Sequence, residues 1–255
     1  MTDSTDAALR IRGLAKRFGD KVAVAGIDLE IPTGSFFGLV GPNGAGKTTT
    51  LSMATGLLRP DAGSVSVHGV DVWQEPVDAK RMIGNLADGV RLFDRLTGEQ
   101  LITYTAMMFA IPRPEIAPRV ADLLEMMDLR EAAGTIVADY SAGMTKKVAL
   151  ACALVHAPRL LVLDEPFESV DPVSAANIED VLRSYALSGG SVIVSSHSMD
   201  LVQRMCDHVA ILAGGSVLAA GAVDEVRAGV SLQERFITLV GGRHDGVGPA
   251  WLRQS

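Results

Sequence analysis

Cysteine is nearly absent from this chain of 255 residues: Cys152 and Cys206 are the only two, and they form no C-x-x-C pair. Both fall in apolar helical stretches, so small buried thiols are expected rather than disulfides or a metal cluster. Positive charge is also scarce. Lys and Arg number 23 against 30 Asp and Glu, a net charge of −7, which provides no broad basic field to capture phosphodiesters. Nucleic acid is therefore not an expected partner. Long hydrophobic runs are missing too. The most apolar stretch, 148–163, is interrupted by His156, Pro158 and Arg159, whereas a membrane helix needs ~20 apolar residues. Residues 1–8 are polar and acidic, with no basic stretch leading into an apolar one. No secretory leader is expected, and the cytoplasm is the expected compartment.

What is present is apolar residue in quantity, 48% of the chain, enough for the core of one α/β domain. The pattern from 23 to 40 reads as two short strands joined by Pro32-Thr33-Gly34, the second running into a glycine-rich loop. A helix is expected over 47–57, then a turn at 59–63 that returns the chain to a strand at 65–67, as in the opening of a parallel α/β unit. From 91 to 156 strand patterns vanish, and helices are expected at 98–109, 114–127 and 141–155. Strands resume at 160–163 and 191–195, separated by a helix over 172–187. A hairpin at 209–212 and 216–219 turns through Gly214-Gly215, and the glycine-rich tail beyond Gly241 is expected to be loose.

Two segments carry chemistry by residue type and context. The first is Gly41-Pro42-Asn43-Gly44-Ala45-Gly46-Lys47-Thr48-Thr49, a phosphate loop placed after an apolar strand and before a helix. Glycines let backbone N–H groups turn onto phosphates, the helix N-terminus adds positive potential, Lys47 suits β/γ oxygens, and Thr48 suits Mg²⁺. The second is the apolar run at 160–163 that ends in Asp164-Glu165. Paired carboxylates at a strand's C-terminal end suit Mg²⁺, held through water by Asp164, and the polarising of an attacking water by Glu165.

Ser141-Ala142-Gly143-Met144, 23 residues before Asp164, makes the chain resemble the ABC ATPase family over roughly residues 9–241. The residues themselves describe a helix start, with Ser141 as N-cap and Gly143 leaving N–H groups open to an anion. The resemblance implies more: that these four residues bind the γ-phosphate of ATP held by an opposite subunit. It also implies that Asp171, in Ser169-Val170-Asp171-Pro172, lies on a loop passing between subunits. His197 stands where the family has a γ-phosphate switch histidine, and Phe18 where it stacks adenine, a core phenylalanine being the other reading of Phe18.

The fold so implied is α/β, a P-loop NTPase core of ABC ATPase type with an N-terminal antiparallel β element and an inserted helical subdomain. Residues 1–88 and 157–228 would form the core, 89–156 the helical subdomain and 229–255 a C-terminal tail. The implied function is ATP binding and hydrolysis, with Mg²⁺, in a head-to-tail dimer with a second copy or a paralogous subunit. Dimer closure would drive separate transmembrane permease subunits, leaving this chain peripheral on the inner face of the membrane. A soluble ATPase of cofactor assembly or regulation, without a permease, is the alternative.

Several residues depart from the family's commonest pattern. Asp88 replaces its glutamine, an acid that can meet Mg²⁺ but cannot donate a hydrogen bond while ionised. Tyr140, Ala142 and Met144 replace a leucine, a glycine and a glutamine. Tyr140, Met144, Lys146-Lys147 and the segment 231–236 resemble the branch that serves exporters of the ABC-2 type, so export is the expected direction. A small-molecule kinase has no use for the segment 141–144, and a chromosome-type ATPase would need a long coiled coil where a short helical segment stands.

Overall fold

The computed structural model describes residues 7–89 and 91–241. Two sheets organise them. The larger has the strand order β10-β9-β3-β8-β7-β6, formed by β3 (Phe36–Val40), β6 (Ile83–Leu86), β7 (Leu160–Asp164), β8 (Ser191–Ser196), β9 (His208–Ala213) and β10 (Ser216–Ala222). All its neighbours are parallel except the β9–β10 hairpin. Strands buried on both faces read as near-continuous apolar runs, and every residue of β3 and β7 is buried, Asp164 at the end of β7 being the one charged member. Side chains of β7 alternate between two cores: Leu160 and Val162 join one hydrophobic cluster, Leu161 and Leu163 the other.

The smaller sheet is antiparallel, in the order β2-β1-β4-β5, from β1 (Ala7–Phe18), β2 (Lys21–Pro32), β4 (Ala62–Val67) and β5 (Val70–Asp71). The expectation that the chain returns after the phosphate loop to a parallel strand is corrected here. β4 pairs antiparallel with β1, Leu9 opposite Val67 and Ile11 opposite Val65. Its residues carry the reason: Val65 and Val67 are buried while Ser64 is exposed and Ser66 half-buried, the alternation of a strand with one wet face. β1 has no simple alternation because its register slips: Ile11 faces Leu29, but Leu14 faces Ile27. The bulge turns Ile11 and Leu14, three residues apart, to the same core.

Helix α1 (Lys47–Ala54) packs between the sheets, and α2 (Pro76–Met82) leads into β6. The other face of the large sheet carries α3 (Gly98–Met108), α4 (Arg113–Met126), α5 (Ala142–Leu154), α6 (Pro172–Leu187), α7 (Met199–Met205), α8 (Val223–Arg227) and α9 (Leu232–Leu239). Thr97 and Gln100 close a capping box at α3, and Asp171 with Pro172 starts α6. Within the segment set apart as tail, α9 buries Leu232 and its Arg235 donates to the Val226 carbonyl. The glycine-rich stretch beyond Gly241 lies outside the described residues.

Helix α5 approaches β6 closely because Gly84 has no side chain. A Cβ there would stand 2.3 Å from the Ala153 carbonyl oxygen, which is backbone and cannot swing away. Gly84→Ala is expected to cost about 1–3 kcal/mol through forced displacement of α5. Urea unfolding would show this as a lower midpoint, and an unchanged midpoint would contradict the packing.

Candidate nucleotide site

β3 runs out at Val40 into the loop, and the loop is shaped by contacts a side chain would break. A Cβ on Gly46 would lie 2.6 Å from the Ala23 carbonyl oxygen, and the residue has φ 104°, in the left-handed region that glycine adopts without strain. Gly46 is the N-cap of α1. The first-turn N–H groups of a helix have no partner within it, so this end offers donors and positive potential to an anion. Lys47 is only 6% exposed, a burial that requires satisfied charge. Its Nζ donates to the Gly41 carbonyl at 2.8 Å and lies 3.4 Å from Glu165 Oε1.

Strand β7 delivers two carboxylates with different surroundings. Asp164 is buried, and Ser195 Oγ of the neighbouring β8 donates to its Oδ1. The same hydroxyl accepts from the Glu165 backbone N–H at 3.0 Å. Glu165 takes φ 46°, unusual for a residue with a side chain, and so turns its carboxylate back over the loop. There Oε1 faces Lys47 and Oε2 lies 3.1 Å from His197 Nδ1. Sequence reasoning missed Ser195, because a serine ending an apolar run reads as a solvated strand end; its full burial, seen only in the fold, is what calls for a polar partner.

Lys47, Glu165 and His197 line one open cavity of about 450 Å³, together with loop residues 42–49 and Asp88. Thr48 is exposed toward it, and Asp164 lies buried at the end of the adjoining strand. Phe18 also lines the cavity and is 51% exposed, which overturns the core reading of this residue; Lys16 Nζ sits 5.8 Å from its ring centroid. Asp88 lies in the turn after β6, with Oδ1 3.9 Å from Lys146 Nζ.

The remaining sequence candidates lie elsewhere. Ser141 caps α5, accepting from the Met144 N–H at 3.2 Å. Gly143 packs against the start of α6, where a Cβ would meet Ser174 Oγ at 2.6 Å and Asp171 Oδ2 at 2.9 Å. Asp171 accepts from the N–H groups of Ser174 and Val173, and the backbone and then the side-chain hydrogen bond of Ser174 hold its carboxyl below the usual range. None of Ser141, Ala142, Gly143, Met144 or Asp171 lines the cavity of Lys47.

A parallel sheet whose strand ends carry a phosphate loop, a buried aspartate and a glutamate–histidine pair defines a P-loop nucleotide-binding ATPase. The sequence model of the ABC transporter family matches residues 24–168. The linearmycin resistance ATP-binding protein LnrL of Bacillus subtilis (strain 168) is 35% identical over 213 residues, covering 84% of this chain and 68% of that protein. The Nod factor export ATP-binding protein I of Burkholderia orbicola (strain AU 1054) is 35% identical over 216 residues, 85% and 71% of the two chains. Among solved structures, an ATP-binding subunit of an ABC transporter superposes with a TM-score of 0.85 at 28% identity, over 91% of this chain and 99% of that one.

The chain belongs to the ABC transporter family and is an ATP-binding subunit that hydrolyses ATP. Domains of this family bind nucleotide, dimerise and act with transmembrane permeases. Among the described residues, no helix is long and apolar enough to cross a membrane.

Proposed function

We propose that this subunit powers export through separate permease subunits, as one half of a head-to-tail pair of ATPase subunits held at the inner face of the membrane. The placement of Ser141 and Gly143 carries this reading: the helix start that suits a γ-phosphate lies off the chain's own cavity, so a second subunit must supply the missing wall. The names of relatives that act in drug resistance and Nod factor export support the direction.

Within each cavity the loop 41–49 cradles the phosphates, Lys47 meets the β/γ oxygens and Phe18 stacks adenine, a contact worth ~1–3 kcal/mol per base in other settings. Thr48 and Asp164 suit Mg²⁺, with Asp88 beside it, a sparse set of oxygens that fits an ion retaining most of its waters. That ion supplies positive charge to the phosphate oxygens. Glu165 polarises water for in-line attack, and His197 orients Glu165 and faces the γ-phosphate. Ser141, Ala142, Gly143, Met144 and Asp171 complete the partner's site. We read 1–88 with 157–228 as the core, 89–156 as the segment that moves on closure and 229–255 as a C-terminal appendage.

Mixing two inactive proteins tests the pairing. In a heterodimer of Lys47→Ala and Ser141→Arg subunits, one site carries both lesions and the other has intact Lys47 and Ser141. With random pairing and independent sites, roughly a quarter of wild-type ATPase activity should return. No recovery in verified heterodimers would refute independent composite sites.

A further inference from the structure

The structure assigns Lys146 a positioning role in hydrolysis: it ties helix α5, which starts at Ser141, to the backbone of the residue that acts on water. This inference rests on the reading of Glu165 given above. Lys146 lies on α5, roughly one and a half turns past the N-cap Ser141. Its side chain is 21% exposed and turns back into its own subunit. There Nζ donates to the Glu165 carbonyl oxygen at 3.1 Å and stands 3.9 Å from Asp88 Oδ1. One ammonium thus joins a helix of the segment 89–156, the end of β7 and the turn after β6.

Glu165 needs such a tie. Its φ of 46° is a conformation that a residue with a side chain adopts only when its surroundings enforce it. The N–H is held by Ser195 Oγ, and the carbonyl accepts from Lys146 Nζ and from the Glu168 N–H at 3.2 Å. Of these contacts only Lys146 comes from the helical segment. Displacement of α5 therefore moves a donor on Glu165, and the carboxylate that faces Lys47 and His197 turns with its backbone. Because Ser141 and Gly143 head the same helix, contact made at that end is felt at Glu165. Asp88, half-exposed at 3.9 Å, adds an opposite charge beside the lysine without a hydrogen bond to it, so the Glu165 carbonyl is the close partner that fixes the ammonium. Lys146 touches no reacting atom, and its effect passes through Glu165.

Lys146→Met keeps much of the length and apolar stem and removes the donor. With the full-length protein, kcat is expected to fall ~10-fold while KM and ATP affinity by direct titration stay within ~2-fold. Lys146→Arg, which can still donate, should restore most of the rate. Acting through Glu165, the lesion should add little to the residual single-turnover rate of Glu165→Gln in the double variant. Wild-type kcat in Lys146→Met would overturn the inference. So would a loss of ATP affinity and thermal midpoint without rescue by arginine, or a full multiplicative loss in the double variant. A Glu165→Gln protein with wild-type turnover would instead remove the reading beneath it.

Discussion

Replacing Glu165 with glutamine is expected to leave ATP bound and to stop its turnover, with kcat lower by ~10²–10⁴-fold. The amide preserves the shape of a side chain held in a narrow place, 12% exposed and set between Lys47 and His197. It removes the negative charge to which we assign the orienting and polarising of water. Lys47 keeps its bond to the Gly41 carbonyl, so the phosphate loop should bind nucleotide as before. With hydrolysis blocked and binding intact, the closed pair accumulates: size exclusion with ATP should show a dimer that the wild type holds only briefly. The thermal midpoint should rise with ATP concentration in the manner of a ligand that binds only the folded state. Turnover at the wild-type rate would remove Glu165 from the mechanism.

How much of this could be read from residues alone depended on the range over which each feature is encoded. β7 and the phosphate loop were legible because their signals are contiguous: an apolar run with both faces buried, then acids; an apolar strand, glycines, then a lysine at a helix start. Helix α6 appears at the expected positions, 172–187, because Asp171, Pro172 and Gly189 punctuate it. β1 was not legible, since its bulge spaces Ile11 and Leu14 by three residues and breaks the period of two on which strand reading rests. The direction of β4 was missed because the preceding strand–loop–helix suggested a parallel return, although the alternation of Ser and Val pointed to a half-wet sheet. Lys146 could not have been found in this way. Its partner is a backbone carbonyl 19 residues away, and no pattern of side chains records such a bond. Asp88 was legible as an acid at the strand end beside the phosphate loop, whose cavity it lines, but its ion pair with the same lysine was not.

Lys47→Ala should differ in kind from Glu165→Gln, and the difference follows from what Lys47 touches. Charge-assisted hydrogen bonds contribute about 1.5–3 kcal/mol each, so loss of the ammonium should weaken ATP binding by ~10–100-fold. Turnover at ordinary ATP concentrations should fall with it. The protein without nucleotide should suffer as well. Lys47 is 6% exposed and neutralises a carboxylate that is 12% exposed, and removing one member of a buried pair leaves the other charge uncompensated except by His197. The nucleotide-free Lys47→Ala protein should therefore unfold at lower urea concentration than the wild type. Adding Glu165→Gln to it should recover part of the loss, because the stranded charge is then gone. The coupling measured across the four proteins should fall at about 0.5–3 kcal/mol. Strict additivity would mean that the two side chains do not interact in solution, and unchanged ATP affinity in Lys47→Ala by direct titration would refute the phosphate-loop assignment itself.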